Sequence, residues 1–375
     1  MTPASYSLSS GACPEWDAFV GRNDDPHFEQ MSAWGETQRL RGWTPLRLLQ
    51  FRGQSLAGGA QILERPFGRF WRIAYLHRGP LWEEGGPHEG EGFAAELKRL
   101  CRSRKYLYFV AVLPYHSDGF ARILARQDYP VLPEGLPPSS SMKATSVLDV
   151  TRPDAALLAG MHASTRRNVR KSMRSGVTIR SGTSLDVPIF ADLLNTLCSR
   201  RGVRPNVPSG GEFLPRLWNA FGPPGQAAVF LAEVGDVPIA ARFVLSIGRW
   251  VTDWRHGWSG EHRDLFPNEA LDWHVIRWAR ARGAHFYDFC GVDTHMALKM
   301  SRGEPLLPGE VCGMSSYKLG FGGEILPLNP DYFWSASRLV RTGIRSVGNR
   351  PAASRVIRQL LGLRGRGRAW RERRI

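Results

Sequence analysis

Residues 235–260 read GDVPIAARFVLSIGRWVTDWRHGWSG, two strand-like runs separated by a turn at Gly248-Arg249. The first run, VPIAARFVLSI, is almost continuously apolar, as a strand covered on both faces must be, and Ala240-Ala241 leaves room for a close neighbour. The second run is aromatic. Next comes NEALDWHVIRWARARG (268–283), in which Leu271, Val275 and Trp278 fall on one face at helical spacing. Asn268 is expected as its N-cap, with Glu269 in the first turn, and Gly283 suits a left-handed stop. AHFYDFCGVD (284–293) closes the unit as a strand. The same succession occurs earlier, as GQSLAGGAQILERPFGRFWRIAYLHRGPLW (53–82), the helical GFAAELKRLCRSR (92–104) and the strand KYLYFVAVLP (105–114). Aligning Tyr108 with Tyr287 also aligns Trp71 with Trp250, so the chain reads as a duplicated α/β unit. Mixed sheets with helices on both sides are expected.

At 375 residues the chain is long enough for two cores. The Pro/Ser-rich stretch EGLPPSSSMKATSV (134–147) reads as the linker between them. The expected division is a first domain over 1–147, completed by 318–345, a second over 148–317, and a basic tail over 346–375. No apolar run is long enough to span a membrane and the N-terminus does not read as a signal peptide. The cysteines at 13, 101, 198, 290 and 312 are odd in number and show no CxxC pair, which suits a reducing cytoplasm and argues against a disulfide framework or structural zinc.

The net charge is +16, and from Ser337 onward there are twelve arginines against one acid, Glu372. A second cluster, STRRNVRKSMRSG (164–176), carries Arg166, Arg167, Arg170, Lys171 and Arg174 without an acid. It reads as a helix with Val169 and Met173 turned to the core and the charges on its flanks. Such charge points to a polyanionic partner, an RNA, an anionic lipid surface or a diphosphate, with a solvated surface as the ordinary alternative. The tail segment RVIRQLLGL (355–363) sets an apolar stripe beside arginines and suits RNA phosphates or an anionic membrane surface.

No GxSxG, HExxH or GxxxxGK[ST] occurs, and the histidines follow no metal-ligand spacing. RPFGRF (65–70) and QSLAGGA (54–60) fit the pyrophosphate loop of acyl-CoA acetyltransferases only in part. Lys318, in GMSSYKLGFGGEILPL (313–328), stands alone between an aromatic ring and three glycines, where a salt bridge would be its ordinary use.

The chain resembles the Fem family of aminoacyl-tRNA-dependent transferases, built from two acetyltransferase-like (GNAT-like) domains, over about residues 28–332. The resemblance is carried by EQMSAWGETQRLRGW (29–43), YLHRGPLW (75–82), MHASTRRNVRKSMRSGVTI (161–179), GDVPIAARFVLSIGRW (235–250), FPNEALDWHVIRWARARGAHFYDFCGVD (266–293) and residues 313–328, in this order. It implies an α/β fold of two tandem GNAT-like domains, and no heptads mark a coiled-coil arm between 185 and 230. It also implies that Tyr317-Lys318 is the aromatic–lysine pair at the site where the aminoacyl ester meets the acceptor amine, the lysine stabilising the oxyanion. Gly320, Gly322 and Gly323 would then allow close backbone approach.

The resemblance further implies that WGETQRL holds an acceptor diphosphate. Relatives often have lysine where this chain has Gln38, with Arg39 beside it, so such an acceptor is in doubt. Leu113 stands where relatives tend to have an acid, and leucine cannot take the amine proton. Arg78, Arg201, Arg204, Trp254 and Asp288 are the remaining substrate-binding candidates, Asp288 having the alternative of holding its neighbouring turn.

The expected activity is aminoacyl transfer from aminoacyl-tRNA, as co-substrate and with no cofactor or metal, to an amine of a peptidoglycan precursor or peptide-like metabolite. The expected location is cytoplasmic, with the tail touching the inner membrane face. The alternatives are an acyl-CoA-dependent N-acyltransferase and a non-catalytic RNA- or membrane-binding protein.

Overall fold

The computed structural model describes residues 4–83, 87–133, 136, 143–205, 207–208, 211–307, 310 and 313–347. The strands of the first half are β1 Ala4–Ser9, β2 Thr44–Arg52, β3 Ser55–Phe67, β4 Trp71–His77, β5 Leu81–Trp82 and β6 Tyr106–Val112. Those that follow are β7 Ala144–Asp149, β8 Thr178–Ser181, β9 Ala227–Val234, β10 Val237–Ile247, β11 Trp250–Trp258, β12 Phe286–Gly291, β13 Glu324–Pro327 and β14 Tyr332–Trp334. The helices are α1 Pro14–Arg22, α2 Ser32–Gln38, α3 Pro87–Ser103, α4 Asp118–Arg126, α5 Asp154–Gly160 and α6 Ala163–Ser172. They continue as α7 Val187–Arg200, α8 Phe213–Phe221, α9 Pro267–Ala281, α10 Thr294–Ser301, α11 Gly313–Leu319 and α12 Arg338–Val347.

Two compact units result, one from residues 1–141 with 328–375, the other from 142–327. The first holds a sheet of order β1-β2-β3-β4-β6-β14, with β5 on β3, and the second a sheet of order β13-β7-β12-β11-β10-β9-β8. Each contains the same mixed core. In the first, β4 runs parallel to β6 and antiparallel to β3. In the second, β11 runs parallel to β12 and antiparallel to β10. A helix, α3 or α9, makes each parallel crossover, which is the duplication legible in the sequence. Trp71 and Trp250 start corresponding strands, and Tyr108 and Tyr287 take corresponding places opposite Ile73 and Val251.

The boundaries depart from the expected ones. Residues 144–147, assigned to the linker, are β7, which pairs with both β12 and β13 and so belongs wholly to the second unit. Residues 318–327 also stay there, and the return to the first unit starts at Leu328, with β14 pairing β6. The tail from 348 to 375 lies outside the described residues.

Burial explains most local choices. Ala240, Ala241, Phe243 and Val244 of β10 are at most 1% exposed, as a doubly covered strand requires. In α9, Leu271 and Val275 are buried against the sheet, and Gly283 stops the chain with φ +78°. Asn268 is not the N-cap: Pro267 takes the first helical position, Phe266 precedes it, and Asn268 instead accepts a hydrogen bond from Arg242. Met173 does not face the core and is 64% exposed, because α6 ends at Ser172 and the chain turns away. Between α7 and α8 the described residues form no long arm.

Candidate active site

The parallel pair β11–β12 is hydrogen-bonded only from Trp250–Phe286 to Thr252–Asp288. Past that point β11 carries a bulge: Val244 faces Asp253 and Phe243 faces Arg255, leaving Trp254 as the extra residue. On the other arm Cys290 takes φ +61°. The two arms stop pairing, and a cavity of about 370 Å³ is lined from both of them and from α6, α9 and α11. Asn168, Arg201, Arg242, Asp253, His256, Glu269, Tyr317 and Lys318 supply its polar groups, and Trp258, Phe266 and Phe289 its aromatic walls.

Lys318 is carried on α11 and donates its Nζ to the Gly291 carbonyl at 2.7 Å. It forms no ion pair among the described residues, so the salt bridge that is a lysine's ordinary use is not its role. Burial lowers its pKa from the ordinary amine range, against the pull of Cys290, Asp253, Asp288 and Asp272. Close backbone approach anchors the turn after α11. Gly322 has φ +84°, a Cβ there would sit 2.5 Å from the Gly160 carbonyl oxygen, and Gly320 accepts from His162 N–H at 2.9 Å.

Beneath Lys318 lies a buried ionic cluster. Arg242, 2% exposed, reaches Asp272, 0% exposed, through Nε at 2.6 Å and a second nitrogen at 2.9 Å. Its third nitrogen donates to Asn268 at 3.3 Å. Tyr317 donates its hydroxyl to the same Asp272 carboxylate, and burial followed by that charge pushes the phenol well above its ordinary pKa. Asp253 lies on the other side of Arg242, with Oδ2 at 3.7 Å from Nε, and its Oδ1 has no hydrogen-bond partner. Burial raises Asp253 to about 6, with Asp272 and Asp288 adding to the rise and Arg242 and Lys318 opposing it. His256 is held well below the ordinary imidazole value by burial and by Arg242, Arg201, Lys318 and Arg255, so it is neutral.

The remaining candidates are distributed as follows. Arg201 reaches this cavity, whereas Arg204 is exposed and does not line it. Trp254 is 5% exposed and packs on Phe213 and Phe243 with Arg255 over its ring, so it is part of the core beside the bulge. Asp288 accepts from the Thr145 hydroxyl and from Cys290 N–H, and so ties the strand end. In the first unit, Arg78 is buried, bonded to the Leu113 carbonyl at 3.4 Å and stacked 4.4 Å from the Tyr115 ring centroid. Gln38 is fully buried, with Arg41 directed at its Oε1 at 3.5 Å, and Arg39 pairs with Glu36 at 2.6 Å.

A second concavity is basic throughout, lined by Arg166, Arg167, Arg170, Lys171 and Arg174 with Ser175 and Leu265. Arg166 differs from the others, since it donates to the carbonyls of Leu158, Ala159 and Met161 and so caps α5. Lys171 sits 5.1 Å from the Phe266 ring centroid. Arg167, Arg170 and Arg174 are exposed.

Arg242, Asp272, Asp253, Asn168 and His256 were not singled out in the sequence as site residues, and Glu269 was marked only as a first-turn acid. Arg242 could have been, because a lone arginine inside an apolar strand needs a buried counter-charge. Nothing local marks Asp253, whose position depends on the bulge.

Comparison with known proteins begins with the second unit, where residues 162–298 match an acetyltransferase (GNAT) domain model. Among solved structures, one described as the crystal structure of FemX superposes with TM-score 0.75 at 17% identity, covering 88% of this chain and 97% of that one. The structure of L-PGS from Bacillus licheniformis superposes with TM-score 0.57 at 10% identity, over 95% and 99% of the two chains. The fold is therefore α/β with two tandem GNAT-like domains. Among curated relatives, a lipid II:glycine glycyltransferase of Staphylococcus saprophyticus is 22% identical over 231 residues, covering 60% of this chain and 55% of its own. One from Staphylococcus aureus is 22% identical over 228 residues, covering 59% and 53%. The chain thus matches about half the length of these curated relatives, and it is Fem-like, as the motifs of the sequence implied.

Proposed function

We propose that the protein is an aminoacyltransferase that moves an amino acid from the ester of an aminoacyl-tRNA to an acceptor amine, forming an amide. The single observation that carries this reading is the half-buried Lys318 ammonium, unpaired with any described carboxylate, in a cavity lined from both arms of the fork. An amine and an activated ester already react downhill, so no covalent enzyme intermediate is required. The protein must align the two and place a cation where the carbonyl oxygen becomes negative. One such donor contributes typically ~2.7–4 kcal/mol to the transition state.

The curated relatives act, by their names, on lipid II with glycine, which supports an amine-bearing peptidoglycan precursor as acceptor, with a peptide-like metabolite as the alternative. The exposed Arg167, Arg170 and Arg174 suit the tRNA phosphates.

The GNAT match favours one second reading, an acyl-CoA-dependent N-acyltransferase. Against it, QSLAGGA lies largely in β3 and RPFGRF in the β3–β4 hairpin, so neither presents amide groups from a helix start to a pyrophosphate. Incubation with a charged total-tRNA pool and an amine-bearing muropeptide precursor separates the two. Labelled amino acid should become RNase-resistant, and prior RNase treatment should abolish the product. Label transfer from acyl-CoA without RNA would instead establish the second reading. A third reading, binding without catalysis, would show RNA retention and no product from either donor.

A further inference from the structure

Leu113 cannot accept a proton, and its backbone carbonyl is occupied by Arg78. The chemistry nevertheless needs a base, because an aliphatic amine arrives mainly as ammonium and only the free amine has a lone pair to attack with. The geometry points to Asp253 as the group that takes this proton, a further catalytic residue within the cavity that holds Lys318. The inference rests on the amide-forming reading above.

Asp253 lies at the point where β11 leaves β12, one residue past the last paired position, and the bulge at Trp254 fixes its placement. Its side chain is 7% exposed and lines the cavity, yet one carboxylate oxygen has no hydrogen-bond partner. A buried unpaired carboxylate oxygen is costly, typically about 1–3 kcal/mol or more, and a donor brought to the Asp253 wall of the cavity would offset that cost. An acceptor ammonium is such a donor. Arg242 does not fill this place, because its guanidinium is turned to Asp272 in a two-point pair and stays 3.7 Å from the far Asp253 oxygen.

The groups facing Asp253 come from every neighbouring element: Arg242 of β10, Asp272 of α9, Asp288 of β12 and Lys318 of α11. Cys290 of β12 donates its thiol to the Asp253 backbone carbonyl at 3.3 Å. The balance of burial and these charges puts the carboxyl near 6, ionised at neutral pH and still basic enough to accept a proton. The other cavity groups are less suited. His256 is too weak a base, and Glu269 is already bonded to Asn168 at 3.1 Å.

Asp253 takes one proton from the ammonium, and the freed nitrogen lone pair attacks the ester carbonyl to form the C–N bond. The carbonyl oxygen becomes an oxyanion beside Lys318. As the tetrahedral intermediate collapses, the C–O bond to the ribose breaks, the second nitrogen proton passes to the leaving ribose oxygen, and Asp253 releases its proton to solvent.

The test compares wild type, Asp253→Asn and Asp253→Glu from pH 5 to 9, with charged total tRNA and the amine-bearing muropeptide precursor. In wild type, kcat/KM should fall on the acid side with a midpoint near 6. Asp253→Asn should lose about 10²–10⁴-fold at pH 7, and its deficit should shrink as rising pH supplies free amine. A purely structural role would give a deficit independent of pH. Should Asp253→Asn fail to fold, Asp253→Glu decides, because a carboxylate moved by one methylene must shift the acid midpoint. An Asn variant as fast as wild type, a pH-independent deficit, or an unmoved midpoint in Asp253→Glu overturns the inference while leaving the transfer reaction standing. Absence of product from wild type would instead remove the reading on which the inference depends.

Discussion

Replacing Asp272 by alanine tests whether the cluster under Lys318 is held as described. The substitution takes away both oxygens that Arg242 grips and the acceptor of the Tyr317 hydroxyl. Arg242, 2% exposed, is then left with Asn268 at 3.3 Å and Asp253 at 3.7 Å. Removing one partner of a buried ion pair typically costs ~3–5 kcal/mol, because the surviving charge keeps its desolvation penalty. The Tyr317 hydroxyl adds to this, but the effects share partners and do not sum. Native-state hydrogen exchange of the α9 amides reads the result directly, and ~3–5 kcal/mol corresponds to roughly 150- to 5000-fold faster exchange. Joint replacement, Arg242→Met with Asp272→Leu, should recover part of the loss, since neither charge of this pair remains buried, while Asp253 loses the cation beside it. A loss under ~1 kcal/mol in Asp272→Ala would show that the pair is open to water and that the packing around Lys318 is not as argued.

Other consequences are equally specific. Burial raises Asp253 from 3.8 to about 6, so its ionised form is disfavoured in the folded state. The cost is present above pH 6 and fades as pH falls toward 4, and Asp253→Asn should therefore stabilise the protein at pH 8 by at most ~3 kcal/mol and by nothing below pH 4, read from urea midpoints. A stabilisation that does not change with pH would contradict this. In the first unit, Glu64 is fully buried and accepts from Arg72, Arg104 and the Tyr106 hydroxyl; because both arginines reach solvent, Glu64→Ala strands only the Tyr106 hydroxyl and should cost about 1–3 kcal/mol in denaturant titration. Converting Arg167, Arg170 and Arg174 to glutamine should flatten the salt dependence of tRNA binding by about 2–3 in log–log slope, and an unchanged slope would place the RNA elsewhere. Arg166 is left out of that set, because it caps α5 and its loss would act on stability.

The sequence carried the repeated strand–helix–strand plan because hydrophobic period is a local property. VPIAARFVLSI could only be a strand covered on both faces, and Leu271 and Val275 could only face a core. It misplaced what depends on a single neighbouring residue. Pro267 moved the start of α9 away from Asn268, and the end of α6 at Ser172 released Met173 one residue short of the core. The short strands β7, β13 and β14 carry too few residues for a pattern, and the unit boundary moved with them.

Lys318 and Tyr317 stood out through resemblance, and both do line the cavity. Gln38 was marked by the resemblance and Trp254, Asp288 and Arg78 by residue type, and burial turns each of them inward. Arg242 is marked in the sequence as a lone arginine in an apolar strand, but its partner Asp272 lies 30 residues away on another element and Asp253 owes its place to a bulge, so neither aspartate leaves a mark in a linear reading.

The central claim concerns the charge on Lys318. Rapid-quench single turnover, from a preformed complex with labelled aminoacyl-tRNA to the amine acceptor, isolates the chemical step from binding. Lys318→Met, close in shape and without charge, should slow amide formation by about 10²–10³-fold while tRNA affinity stays within about threefold. Amide formation at the wild-type rate in Lys318→Met would contradict the account.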